Sequence, residues 1–168
     1  MMLIRLAIVL LFIYSTATLA GEEKYNLCKS SEKIIFSCVI KNKIVSLCST
    51  PELTAKSGQL TYRFGKLGNV PDLEFSNNAP GPSLSFTSYF ESWAKGSFSS
   101  ISFNRGEYSY TLYNRMAVFE EDDRSNGGGV KVFRKGKQTA DLWCKDETIN
   151  DKIWENLHDL GLPVTSTP

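Results

Sequence analysis

A single histidine, His158, serves a chain of 168 residues, and no Gly-x-Ser-x-Gly turn presents any of its serines. Hydrolysis through a Ser or Cys nucleophile needs a base beside it, so an enzyme of that kind is disfavoured. No Cys-x2-Cys pair occurs, and one imidazole with scattered thiols is a poor zinc ligand set; neither a metal nor a cofactor is expected. Charge of one sign is also lacking. With 19 Lys and Arg against 18 Asp and Glu, there is no general attraction to phosphate, and nucleic acid is not an expected partner. Gly127-Gly128-Gly129 lacks the Gly-Lys-Ser/Thr ending of a phosphate loop. Aromatics, in contrast, are plentiful: 10 Phe, 7 Tyr and 3 Trp supply the apolar surface that a disordered chain lacks.

The first twenty residues read as a leader and not as part of the fold. Arg5 gives a positive start, Leu6 to Tyr14 is an unbroken apolar core, and Thr18-Leu19-Ala20 offers the small residues at a cleavage site. The apolar stretch is too short to cross about 30 Å of hydrocarbon comfortably, and no second one follows. Gly21-Glu22-Glu23 after the site lacks the Cys of a lipoprotein, so no membrane anchor is expected after cleavage. The expected organisation is therefore a signal peptide over 1–20 and a single disulfide-stabilised β-domain over 21–168, periplasmic or secreted. The leader removes one basic residue, leaving 18 of each sign in the mature chain.

All four cysteines, Cys28, Cys38, Cys48 and Cys144, fall in the mature part, and an even number in an exported chain points to disulfides. Three pairings are possible. A hairpin centred on Lys43 would face Cys38 with Cys48 and leave Cys28 to join Cys144.

Strand signals dominate. Lys33 to Ile40 and Ile44 to Ser49 are rich in β-branched residues and separated by the polar Lys41-Asn42-Lys43. Gln59 to Phe64 alternates, with Leu60, Tyr62 and Phe64 on one face, and a glycine-bearing turn leads to Leu73-Glu74-Phe75. Asn77 to Pro82 reads as the seam between two halves. Beyond it, Phe86 to Trp93, Ser97 to Asn104, Glu107 to Tyr113, Val130 to Arg134 and Thr139 to Cys144 are further strand candidates. Only the tail looks helical: Asn150-Asp151 can cap a segment carrying Ile153, Trp154, Leu157 and Leu160, which Gly161 and Pro163 stop. The fold class is all-β, a small antiparallel barrel or two-layer sandwich with a short C-terminal helix.

Candidate sites are few. Glu74, Glu91 and Glu107 are carboxylates that a β-fold could bring together for glycoside chemistry. The acidic run Glu120 to Asp123 fails as a calcium loop: with Asp122 first, Arg124 takes the third ligand position and Phe133 the twelfth. Among the aromatics, Tyr113 and Trp143 are the expected solvent-facing members of a stacking platform for sugar or peptide.

The runs Ile35-Phe36-Ser37-Cys38, Lys41 to Cys48 and Leu60 to Gly65, with Gly106 to Tyr110, Gly129 to Val132 and Cys144, resemble a group of uncharacterised exported β-rich proteins of Gram-negative bacteria. The resemblance covers most of the mature chain and implies an envelope or secreted location. Ser57-Gly58-Gln59-Leu60-Thr61-Tyr62 is similar to the Ser-Gly loop and following Tyr of the small β-barrel lysozyme inhibitors of bacterial envelopes, with one residue more. That likeness implies Ser57 and Tyr62 as binding residues. The expectation is an exported non-enzymatic binding protein whose partner is a protein or a cell-wall glycan, with inhibition of a cell-wall hydrolase as the activity that the second resemblance implies. The rival class is a hydrolase of envelope polymers working through paired carboxylates.

Overall fold

The computed structural model describes residues 25–77, 81–117, 126–153 and 160–166. The expected leader over 1–20, the acidic run Glu120 to Asp123, His158 and the middle of the expected C-terminal helix lie outside them.

Among the described residues, two antiparallel five-stranded sheets make up the fold. In the first, β1 (Lys33–Ile40), β2 (Lys43–Ser49), β3 (Leu60–Gly65) and β4 (Leu73–Ser76) follow one another as a meander. The second is a meander of β5 (Phe86–Trp93), β6 (Gly96–Arg105), β7 (Tyr108–Ala117), β8 (Gly127–Arg134) and β9 (Lys137–Trp143). The sheets divide at the expected seam. A two-residue strand, β10 (Asn150–Asp151), returns to the free edge of β1.

β-branched and aromatic residues fill these strands, and the connections carry the turn chemistry. At β8–β9, Lys135 and Gly136 both take positive φ, 51° and 78°, the twist that matches a tight hairpin. Inward residues alternate with outward ones. Leu60 and Tyr62 of β3, Phe75 of β4, Phe86 of β5, Phe103 of β6 and Tyr110 and Leu112 of β7 meet in one core shared by both sheets. Phe75 stacks on Phe103 with centroids 4.5 Å apart, and Phe103 stacks on Tyr110 at 5.0 Å. Each such ring contributes about 1.5–3 kcal/mol by burial, with the paired geometry adding about 0.5–1.5.

The sheets cross. β3 and β4 pack at the Phe103 and Tyr110 end of the second sheet, whereas β1 packs at the other end, its Phe36 ring lying against Gly128. There Asn114 of β7 donates to the Asp151 carboxylate of β10. Such crosswise contact is the pattern of two packed sheets. The ladders remain separate, so among the described residues the architecture is a sandwich and not the closed barrel that was the other expectation.

Where a helix cap was expected, Asn150 and Asp151 pair with Ser37 and Phe36 as β10. Asp151 still accepts the Ile153 amide at 2.7 Å, and Gly161 takes φ 56°; Ile153 and Leu160 are helical, and residues 154–159 between them lie outside the described ones.

The cysteine pairing differs from the expected one. Cys28 is bonded to Cys48, and Cys38 to Cys144. The cause is hairpin register. The β1–β2 turn is Lys41-Asn42, with Ile40 opposite Lys43, so Cys38 faces Val45 and points into the core. Cys48 lies three residues past Val45 and therefore points to the opposite face. From there it meets Cys28, while Cys38 reaches across the core to Cys144 at the end of β9. Two intramolecular disulfides fit an oxidising, non-cytoplasmic location.

Candidate functional site

The outer face of the second sheet departs from the polar composition expected on the solvent side of an antiparallel sheet. Register places Tyr89, Ser100, Tyr113, Gly129 and Trp143 in one line across β5 to β9. Large and small side chains thus alternate along the line, and the small ones make room for the rings. At Gly129 an added Cβ would lie 2.4 Å from the Leu142 carbonyl oxygen and 3.0 Å from the Tyr113 hydroxyl. Phe98, one position along β6, completes the layer. Its ring stacks on Tyr113 at 5.8 Å and meets Tyr89 edge-on at 6.0 Å, while Trp143 meets the edge of Tyr113 at 5.8 Å.

Charged groups border these rings. Lys131 of β8 holds its Nζ 5.1 Å from the Tyr113 centroid and 5.9 Å from that of Phe98. Tyr113 donates its hydroxyl to Asp141 at 3.0 Å, and Tyr89 donates to Glu91 at 2.8 Å. The Glu91 carboxylate, by accepting that proton, pushes the Tyr89 phenol above its ordinary value. Glu91 and Asp141 are exposed; Tyr89, Phe98, Lys131 and Trp143 are half-buried. Ser100 is buried beneath this layer, and its hydroxyl has no hydrogen-bond partner.

Of the expected binding residues, Tyr113 and Trp143 are brought together. Tyr113, however, is only 2% exposed, so it supports the layer from below and is not the solvent-facing stacking surface expected of it. Ser57 and Tyr62 are not brought together. Ser57 is exposed in a turn, sharing a 2.7 Å hydroxyl contact with Thr54. Tyr62 is in the core against Phe103 and Tyr110, where burial pushes its hydroxyl far up. The Ser-Gly-to-Tyr stretch therefore offers no tyrosine to a partner. Tyr89, Phe98 and Lys131 were missed as members of a site. Period-two alternation carried the signal, but only the registers align them.

The three carboxylates do not converge. Glu74 lies on the outer face of the first sheet, where Arg63 donates to it at 2.8 Å. Glu107 sits in the β6–β7 turn, paired with Arg134 at 3.1 Å and Lys135 at 2.8 Å. Glu91 is opposite Phe98, near the other end of β6, about 23 Å away at roughly 3.3 Å per residue. Two-carboxylate glycosidases hold theirs about 5–9.5 Å apart.

A second polar cluster is structural. The segment Tyr25 to Glu32 lies on the outer face of the first sheet, with the Leu27 amide donating to Ser46 at 2.8 Å and Arg63 gripping Glu32. The sulfurs of Cys28 and Cys48 lie within 4.8 Å of a Glu32 oxygen, but they are joined to each other and so are not thiolate ligands. Compared with protein-family models, with curated proteins and with solved structures, the chain matches none.

Proposed function

We propose that this chain is a non-enzymatic binding domain of the bacterial envelope or surrounding medium, carried to the periplasm or beyond by its Arg5 to Ala20 leader, and that the outer face of β5–β9 binds a cell-wall glycan. The observation that carries this reading is the Tyr89–Phe98–Tyr113–Trp143 layer on a sheet face that physics would otherwise make polar. Half-buried rings stack on the C–H faces of sugars, and their burial beneath neighbours fixes their orientation before a ligand arrives. Glu91 and Asp141 are exposed acceptors for sugar hydroxyls, and Lys131 is a donor placed between the rings. A surface spanning several strands suits a polymer better than a small molecule, which needs a concave pocket.

Bound along the polymer, the domain also stands between the glycan and a hydrolase. Protection of cell walls against lysozyme then follows from occupancy of the substrate and not from a Ser57–Tyr62 loop. The test is retention of the purified domain on insoluble peptidoglycan. Phe98→Ala and Trp143→Ala should each weaken retention about tenfold or more, with the fold checked by circular dichroism. No retention of the wild-type domain, or equal retention of both variants, overturns the reading; capture of an envelope protein instead assigns the face to a protein partner.

A further inference from the structure

The β1–β2 turn and the β3–β4 loop share one end of the first sheet. Ile44 pairs with Gly65, so one step further along the ladder Lys43 faces Lys66. After Lys66 the chain makes a tight turn: the Asn69 amide donates to the Lys66 carbonyl at 3.2 Å, and Gly68 takes φ 78° at the third position. This geometry puts Leu67 at the apex. Leu67 is 63% exposed and Val70 87%, the latter the highest value among the exposed large apolar residues described. Lys41, Lys43 and Lys66 are carried by the two connections at this same end, Lys41 and Lys66 exposed. Asp72, the acid beside them, is engaged by Lys43 at 2.9 Å, and the same Nζ lies 5.2 Å from the Phe64 ring.

We propose that this end of the molecule docks on an anionic lipid bilayer, with Leu67 and Val70 entering the headgroup layer and Lys41 and Lys66 meeting lipid phosphates. Exposed aliphatic side chains beside exposed cations suit the two regions of a bilayer surface, the acyl boundary and the phosphates. Lysine stems extend along apolar surface while keeping their charge at the headgroups. A free phosphate gives no reason for an apolar apex. A protein partner needs about 800 Å² on each side, which one turn and two aliphatic side chains do not supply, whereas a bilayer asks only for shallow penetration. The attachment is reversible and salt-sensitive, because exposed charges are screened.

Sedimentation with vesicles tests this on the full mature domain. Binding is expected to phosphatidylglycerol-containing phosphatidylcholine vesicles, with little to phosphatidylcholine alone, and release at high salt. Leu67→Asp with Val70→Asp should lower binding about tenfold or more, and Lys41→Glu with Lys66→Glu by a similar factor. Leu67→Trp should give a tryptophan whose emission shifts to the blue and is quenched by brominated acyl chains, on anionic vesicles only. Inorganic phosphate should not compete. Absence of vesicle binding, equal binding to neutral vesicles, or indifference to the Leu67 and Val70 changes overturns the proposal. Trp143→Ala should leave vesicle binding intact and the Leu67 and Val70 changes should leave peptidoglycan retention intact, so the two surfaces stand or fall separately.

Discussion

Arg63 and Glu32 are joined by two parallel hydrogen bonds, 2.6 Å from Nη1 to Oε2 and 2.9 Å from Nη2 to Oε1. Arg63 lies on the outward side of β3 yet is 4% exposed, because the segment from Tyr25 to Glu32 covers it. Burial alone raises the Glu32 carboxyl, but the hydrogen bonds from Arg63 and the Lys29 amide, with their charges, outweigh it and hold it below the ordinary value. The unfolded chain therefore takes up this proton at a higher pH than the folded one. Stability from the pair is full above the ordinary carboxylate range, about pH 4.3, and is lost as pH falls through the lower folded value. Thermal melts should show an acid limb there, and Glu32→Gln should flatten it while costing about 2–4 kcal/mol at neutral pH. An unchanged acid limb in the variant removes the assignment.

Cys38–Cys144 closes a separation of 106 residues and Cys28–Cys48 one of 20. On the chain-entropy account these constrain the unfolded state by about 4.8 and 3.3 kcal/mol. Replacing Cys38 and Cys144 together by Ser should lower the midpoint of denaturant unfolding more than replacing Cys28 and Cys48. The reverse order would falsify the view that the inter-sheet link dominates.

Gly129→Ala forces a methyl group against the Leu142 carbonyl, a backbone atom that cannot turn aside. A loss of about 2–3 kcal/mol is expected, with a changed near-ultraviolet dichroism from Tyr113 and Trp143. At Gly128 the nearest atoms are 3.0 Å and 3.4 Å away, so Gly128→Ala should cost less.

Ser100→Ala removes a buried hydroxyl that has no partner. Unmade hydrogen bonds of this kind cost about 1–3 kcal/mol, so the variant should be as stable as the wild type or more so. A clear fall in melting temperature would show that the hydroxyl is satisfied in solution.

Tyr62→Ala should destabilise by about 3–5 kcal/mol, since it empties the aromatic core, whereas Ser57→Ala should stay within about 0.5. Denaturant titrations of the two decide whether this stretch is core or contact surface.

Much of the strand pattern was legible. Lys33–Ile40 and Phe86–Trp93 match their expected bounds, and the alternation that puts Leu60, Tyr62 and Phe64 on one face turns that face to the core. The sequence reading starts β8 at Val130 because Gly127 to Gly129 looks like a loop; these glycines are in the strand, and at Gly129 a side chain would collide with neighbouring backbone. The cysteine partners were illegible for a related reason. A shift of the hairpin centre from Lys43 to the Lys41–Asn42 bond changes which face Cys48 occupies, and composition does not resolve so small a shift. The aromatic layer likewise depends on residues far apart in sequence, such as Phe98 and Trp143, whose alignment exists only once every hairpin register is set. Most of it was invisible until then.

The order of the sulfur links has a consequence for biogenesis. Numbered along the chain, the first cysteine joins the third and the second joins the fourth. A polypeptide emerging amino-terminus first into an oxidising space presents Cys28 and Cys38 together before Cys48 arrives. Oxidation in order of appearance thus yields a Cys28–Cys38 bridge, and the native pairing follows once Cys48 attacks it at Cys28 and releases Cys38 to meet Cys144. Maturation therefore includes one exchange step between protein thiols, and an oxidant strong enough to consume the Cys48 thiol before it attacks would trap the wrong bridge.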